Sequence, residues 1–366
     1  MSMKKHNFTS GPSILPPVVF EQAAAAVKNY NNYGLSILEI SHRDKMFLEI
    51  IENARALVKE LYLLNDDYEV LFMQGGASAQ FALVPMNFLN SNETASYIDT
   101  GVWSDKAIKE AKLFGNVSIA GSSKESNYSF IPKKLNIESN TRYLHLTTNN
   151  TIYGTQFNYI PETDVPIVAD MSSDIFSRPW EANKCTLIYA GAQKNAGAAG
   201  TTIVIIKKDF LNTINKKVPM IFDYRKHVEN GSLYNTPSVF AVYVSYLTLQ
   251  WIKAEGGLKE MAERNAAKAK LLYDEIDRNS AFEGTVTKED RSLMNATFVL
   301  SKELTLKLDA IQLEEQFTKL AKQNGIVGIK GHRLVGGFRA SMYNALPIES
   351  VQVLVNVMKE FEQSIR

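Results

Sequence analysis

The sequence predicts an α/β protein, with a large domain on a mainly parallel sheet followed by a smaller α+β domain. Short β-rich runs alternate with helix-like segments through the middle of the chain, and each run ends in small or polar residues. Past residue 234 the alternation gives way to long helical patterns. Strands alternating with helices imply a sheet covered on both faces. Such sheets gather ligands at the carboxyl ends of their strands.

Taken in order, YEVLFM (68–73) reads as a strand, followed by QGGAS and a helical pattern through Phe81, Val84, Pro85 and Phe88. TASYID (94–99) leads through TGVW into SDKAIKEAKLF, where Ser104 is the expected N-cap. RYLHL (142–146), VPIVAD (165–170) and TLIYA (186–190) read as compact strands. In LIYAGAQKNAGAAGTTIVIIKKDFL two apolar runs flank a hairpin-like interval of Gly and Ala, where only Gln193, Lys194 and Asn195 have any length. A chain uses small residues where something must approach its backbone closely. YNTPSVFAVYVSYLTLQWIKAEGG predicts a buried helix with proline in its first turn, ended by Gly256 and Gly257. An amphipathic helix then carries Leu258, Met261, Ala262, Ala269, Leu272 and Ile276. The remainder predicts a strand at 295–300, a helix near 309–323, a strand in GGFRASMY and a final helix through Ile348, Val351, Leu354, Val355, Met358, Phe361 and Ile365.

Composition narrows the function. The 366 residues include 40 basic and 39 acidic side chains, for a net charge of +1 without long runs of either sign. A nucleic-acid partner would leave a basic stripe, so none is expected. The start, MSMKKHNFTSGPSILPP, lacks the apolar core of a secretory signal. No apolar run approaches the roughly 20 residues that span a bilayer, so no membrane partner is expected. The lone Cys185 rules out an internal disulfide or a multi-cysteine metal site. A globular cytoplasmic protein with no metal is the expectation.

The chemistry lies just past the strands. Asp170 follows VPIVA, the Lys194 loop follows TLIYA, GGAS follows YEVLFM, Trp103 follows TASYID, and Asn150 and Thr151 follow RYLHL. An acid, a lysine, a glycine turn opening a helix, an indole and a hydroxyl on one sheet edge suit pyridoxal phosphate, which has an anionic group, a flat ring and a carbonyl that reacts with an amine. Lys194 would form the Schiff base, its amine kept neutral by desolvation. Asp170 would pair with the pyridinium nitrogen, although DMSSD would equally make it a helix cap. Glycines before a helix allow an anion to reach free N–H groups. Trp103 reads as a stacking ring or as core, and Thr151 as a cofactor contact or a solvated turn.

Six segments in order, SHRDK, GGASAQFALVPMN, ADMSSDIFSRP, IYAGAQKN, YNTPSVFAVY and GHRLVGGFRASMYNA, resemble the phosphoserine aminotransferase family, within class V of the fold-type I pyridoxal-phosphate enzymes. The resemblance runs from TSGPSILP to GGFRASMYNALP and so covers essentially the whole chain. It implies a seven-stranded-type sheet in a large cofactor domain (16–258), a small C-terminal domain (259–366) and an N-terminal segment (1–15) packing with the small domain. It implies pyridoxal phosphate as cofactor, with Lys194 and Asp170 catalytic and Ala77, Ser78, Trp103, Thr151 and Gln193 as further contacts. Asn235 and Thr236 would reach the cofactor phosphate of a neighbouring subunit, implying a homodimer with sites completed across the interface.

The resemblance also implies reversible amino transfer between L-glutamate and 3-phosphohydroxypyruvate, giving 2-oxoglutarate and O-phospho-L-serine, with a related pyridoxine-branch substrate as a further implication. A phosphorylated amino acid carries two anionic groups that call for basic donors. Arg339 would take the α-carboxylate, and His42, Arg43, His332 and Arg333 the phosphate, the last two from the partner subunit. Read without the resemblance, these are surface basics, and His145 is a packed strand residue. One departure stands out: some family members carry an arginine where this chain has Ser78, which leaves open which groups supply the phosphate's charge. Two rival readings are a class V desulfurase or lyase, which would need a mobile nucleophilic cysteine, and a degenerate binding protein of the same fold.

Overall fold

The computed structural model describes residues 5–365; residues 1–4 of the expected N-terminal segment and Arg366 lie outside them. Along the chain the strands are β1 (His6–Asn7), β2 (Tyr68–Met73), β3 (Thr94–Asp99), β4 (Asn116–Ser122), β5 (Leu144–Thr147), β6 (Ile167–Asp170), β7 (Leu187–Gly191) and β8 (Thr202–Lys207), then β9 (Phe282–Gly284), β10 (Asn295–Leu300), β11 (Ile326–Val327) and β12 (Phe338–Ser341). The helices used below are α1 (Pro17–Lys28), α2 (Lys45–Leu61), α3 (Gly76–Phe88), α4 (Val102–Ala111), α5 (Val239–Ala254), α6 (Gly257–Arg278), α7 (Ala310–Gln323) and α8 (Ile348–Ser364).

Seven strands form one sheet in the order β2-β8-β7-β6-β5-β3-β4. Only β8 runs against its neighbours; every other pairing is parallel. The hairpin expected around Lys194 is therefore present: β7 and β8 pair antiparallel across it, Gly191 opposite Thr202. Successive strand residues point to opposite faces, and the core divides accordingly. Val70, Phe72, Leu144, Leu146, Ala169 and Ile188 pack beneath α1, α2 and α5, whereas Leu71, Tyr97, Tyr143, Val168, Leu187 and Tyr189 pack beneath α3 and α4. Burial on both faces explains why these strands read as unbroken apolar runs.

A second body has its own core, joining Phe298, Phe338, Phe317, Phe282 and Phe361 from β9, β10, β12, α7 and α8. Helix α6 spans both bodies, with Leu258 and Met261 in the large-sheet core and Ala269, Leu272 and Ile276 in the second. The N-terminal segment also bridges: β1 pairs with β11 and Phe8 sits in the second core, while Ser13 Oγ donates to Lys194 O at 2.5 Å.

Two local expectations are corrected. Ser104 is not the N-cap of its helix, because α4 begins at Val102 behind Gly101. From inside the first turn its Oγ accepts from the amides of Gly101 (2.9 Å) and Thr100 (3.0 Å), satisfying donors that a cap would satisfy from outside. Pro237 lies ahead of α5, whose N-cap is Ser238, so the Asn-Thr-Pro stretch is a strap rather than a helical turn.

Candidate active site

Because β2, β3, β5, β6 and β7 are mutually parallel, their carboxyl ends open on one edge. A cavity of about 290 Å³ lies there, lined by Gly75–Ser78, Trp103, Thr147, Asp170, Ser172, Gln193, Lys194 and Thr201, among others. Lys194 Nζ donates to Thr151 Oγ1 at 3.0 Å and lies 5.8 Å from the Trp103 ring centroid. Burial pulls its pKa down to about 8; the charge of Asp170 opposes this and that of Arg339 adds to it.

The capping reading of Asp170 holds for one of its two oxygens, on a turn rather than a helix. Its Oδ1 accepts from Ser172 N (2.9 Å) and Ser172 Oγ (2.6 Å), the turn-capping role that DMSSD suggested. Its Oδ2 has no such partner, and the residue lines the cavity. Burial raises the pKa of this carboxyl, while the Ser172 bonds and Lys194 hold it down.

The glycine turn is required by its backbone: Gly75 has φ 97° and Gly76 φ 65°, and a Cβ on Gly75 would stand 2.5 Å from Ala79 Cβ. The turn leaves the first amides of α3 without intrahelical partners and facing the cavity, a ready anion site. The Gly/Ala clearing after Lys194 serves the protein as well as a ligand. A Cβ on Gly197 would stand 2.6 Å from Ser245 Oγ of α5, and one on Gly200 3.0 Å from Ser238 Oγ. Close packing of the loop on α5 therefore accounts for part of the small-residue run.

Arg339 emerges from β12 with its guanidinium bonded to Thr151 O (3.3 Å) and Ser10 Oγ (2.7 Å); its Nε is buried without a partner. Tyr343 OH donates to Ser10 O at 2.9 Å and closes this cluster. His332, in the loop before β12, is near enough to Arg339, Arg333 and Lys106 for their charges, together with burial, to lower its pKa.

Ala77, Ser78, Trp103, Asp170, Gln193 and Lys194 thus share the cavity, and Thr151 and Arg339 join it through hydrogen bonds and charge. Within one chain the remaining expected residues do not line it. His42 and Arg43 sit in the turn before α2, Arg333 is exposed, and Asn235 and Thr236 lie in the strap before α5. Thr236 O accepts from Gln74 Nε2 at 2.6 Å, beside the glycine turn. Reasoning from the sequence missed Ser172, Thr147, Thr201 and Ser10. Ser172 and Thr147 follow or end strands already identified, which is the only signal that could have flagged them.

His145 is 1% exposed, stacks on Tyr97 and hydrogen-bonds Tyr189 OH at 2.8 Å, and burial pushes its pKa down to about 3. It is a packed strand residue. Burial drives the Cys185 thiol up to about 12, which unsuits it to act as the nucleophile of a desulfurase.

The family model for class-V aminotransferases matches residues 6–354. The chain belongs to the class-V aminotransferases. A phosphoserine aminotransferase of Flavobacterium johnsoniae is 54% identical, over 99% of this chain and 100% of that one. A phosphoserine aminotransferase solved in a study of radiation damage to its Schiff base superposes with a TM-score of 0.95 at 46% identity, covering 99% of this chain and 100% of that one. The enzyme of that name from Bacillus circulans subsp. alkalophilus gives 0.94 at 45% identity, covering 99% of each.

The cofactor of this aminotransferase family is pyridoxal phosphate, and the cavity fits it. An enclosed amine of lowered pKa, a buried carboxylate with one unbonded oxygen, an open helix start and an indole line one space. The Thr147 hydroxyl, also on the lining, is buried without a partner.

Proposed function

We propose that this chain is a phosphoserine aminotransferase, moving an amino group reversibly between L-glutamate and 3-phosphohydroxypyruvate to give 2-oxoglutarate and O-phospho-L-serine. The observation that carries this reading is the Lys194 amine, brought to a pKa of about 8 in a cavity shared with Asp170 and bordered by Arg339. Relatives of that name match the chain end to end.

Bound pyridoxal phosphate supplies an aldehyde for an amine and a ring that takes up carbanion charge. With a pKa near 8, roughly a quarter of the Lys194 amines are neutral at pH 7.5, against about one in a thousand at the ordinary lysine value. Once released by substrate, Nζ takes the proton from the substrate Cα and later returns one, acting as base and then acid. Thr151 Oγ1, at 3.0 Å, orients that amine. The Ser172 bonds and the Lys194 charge favour the ionised form of Asp170 against burial, and its Oδ2 is offered to the ring nitrogen, while Trp103 gives the ring a flat wall. The first amides of α3, including those of Ala77 and Ser78, hold the cofactor phosphate, and Gln193 flanks it.

Arg339 takes the α-carboxylate. Thr151 O and the Ser10 hydroxyl fix the guanidinium, so less side-chain freedom is lost when substrate arrives. His42, Arg43, His332 and Arg333 serve the substrate phosphate. Since Asn235 and Thr236 lie outside their own cavity, they complete that of a second copy in a homodimer, with His332 and Arg333 also acting across the interface. Exposed Phe20, Leu38, Met220 and Phe222 supply apolar surface for that association. A cytoplasmic location is supported by the charge of these phosphorylated substrates, which do not cross a bilayer unaided. No described helix is long and apolar enough to cross a membrane.

Absorbance of the holoprotein tests the proposal. Phosphoserine is expected to convert the bound cofactor to its amine form at concentrations where serine does not. An equal response to both would remove the basic cluster from its role.

A further inference from the structure

The phosphate of phosphoserine requires positive charge near the cavity, and at the start of α3 this chain has Ser78 in place of a possible arginine. We infer that Lys106 supplies part of that charge, binding the substrate phosphate from its place over the Trp103 indole. The inference rests on the phosphoserine reading above and assigns a residue that neither the motifs nor the resemblance singled out.

Lys106 lies one turn beyond Trp103 on α4, and its Nζ stands 4.8 Å from the centroid of that ring. Lys194 Nζ stands 5.8 Å from the same centroid. The indole lines the cavity, and Lys106, outside the lining, lies no farther from Lys194 Nζ than the sum of those distances. An amino acid held at Lys194 by its Cα reaches its phosphate oxygens through four bonds of about 1.5 Å. With a hydrogen bond of about 3 Å at each end, the substrate spans an interval of that size.

Lys106 is exposed, so the ordinary alternative is a solvated lysine on a helix surface, but its ion-pair surroundings favour a role at the site. Acids are available on the same helix, Asp105 beside it and Glu110 at the i+4 position. Asp105 instead takes Lys109 at 2.6 Å, and Lys106 has no ion pair among the described residues. Arg339, which borders the same cavity, likewise has no carboxylate partner among the described residues. Like charges gathered without acids repel one another, and an incoming anion relieves that repulsion. A phosphate ester carries a charge of about −1.5 to −2 at pH 7, so it gains more from such a cluster than a single carboxylate does.

The test uses the holoenzyme with Lys106→Met, which keeps the aliphatic stem over the indole, and with Lys106→Arg, which restores the charge. Coulomb energy scales with the ligand's charge, so a loss of about threefold for a monoanionic side chain becomes about tenfold for a dianionic one. In K106M, kcat/KM is expected to fall about tenfold for phosphoserine, mainly through KM, and about threefold for L-glutamate. The affinity for 3-phosphoglycerate, a non-reacting phosphate ester measured by calorimetry, is expected to fall about tenfold, and K106R to recover most of each loss. A change under twofold for phosphoserine and 3-phosphoglycerate overturns the assignment, as does an equal loss for phosphoserine and glutamate. If the wild-type enzyme does not prefer phosphoserine over serine, the functional reading falls and the Lys106 role falls with it. If that preference holds while K106M leaves it untouched, only the Lys106 role is lost.

Discussion

Replacing Asp170 with asparagine separates two effects that the geometry assigns to one carboxylate. The shape is kept, and Oδ1 still accepts from Ser172 at 2.6 and 2.9 Å. What is lost is the negative charge at Oδ2, which faces the ring nitrogen in the proposed complex. Removing one partner of a buried ion pair costs about 3–5 kcal/mol, and each 1.36 kcal/mol is tenfold in rate, so kcat is expected to fall by roughly 10²–10⁴. The same charge raises the Lys194 pKa against the effect of burial. Without it the amine becomes less basic, so a larger neutral fraction is available at pH 7. Apo-D170N should therefore capture added pyridoxal phosphate at least as fast as wild type at neutral pH while turning over far more slowly. Stopped-flow absorbance measures the first quantity and single-turnover kinetics the second. A variant that turned over within tenfold of wild type, or whose capture slowed in proportion to its activity, would refute the division of roles between the two oxygens.

Lys268 is 2% exposed on α6, donates to Met342 O (3.0 Å) and Tyr343 O (2.7 Å), and has its pKa pulled to about 7 by burial. Between pH 7 and 10 the unfolded state binds more protons than the folded state at this group, so its contribution to stability rises with pH by up to about 1.4 kcal/mol per unit. Urea unfolding of wild type and Lys268→Met should show wild type gaining on the variant from pH 7 to pH 9; a constant difference would contradict the lowered pKa. Gly197→Ala places a Cβ 2.6 Å from Ser245 Oγ at φ 145° and is expected to cost about 2–4 kcal/mol in denaturant midpoint measurements. A neutral result would mean that the loop does not pack on α5 as described. Cys185→Ala is expected to retain full aminotransferase activity, and loss of turnover in a folded variant would reopen the lyase reading.

The strands that carry the site were legible because both their faces are buried, so β-branched and aromatic residues run without interruption in YEVLFM, TASYID and TLIYA. β4 was not, because it is an edge strand whose residues Asn116–Ser122 are mostly part-exposed and mix Gly, Ser and Asn. The order of acid, lysine and glycine turn could be placed on one edge once a parallel sheet was inferred, since parallel strands all end there. The supporting hydroxyls could not: Ser172 reads as one more polar residue in a turn until its two bonds to Asp170 are seen. Asn265 and Lys268 were hidden by the amphipathic pattern of α6, which gives no sign that polar residues occupy its buried face. They are there to bond carbonyls and amides where the two bodies meet: Asn265 bonds Ser177 O and Asn344 Oδ1, and Asn344 N donates to Asn195 Oδ1 beside Lys194. The helix start was misread by three residues at Ser104 because a serine inside the first turn can satisfy the same amides as a cap outside it.

The most direct measurement is peptide mass spectrometry of the holoprotein after borohydride reduction. The proposed chemistry requires the reduced cofactor's mass on the peptide that carries Lys194, and on no other lysine. Label on a different lysine, or none in a protein that still binds the cofactor and transaminates, would contradict it.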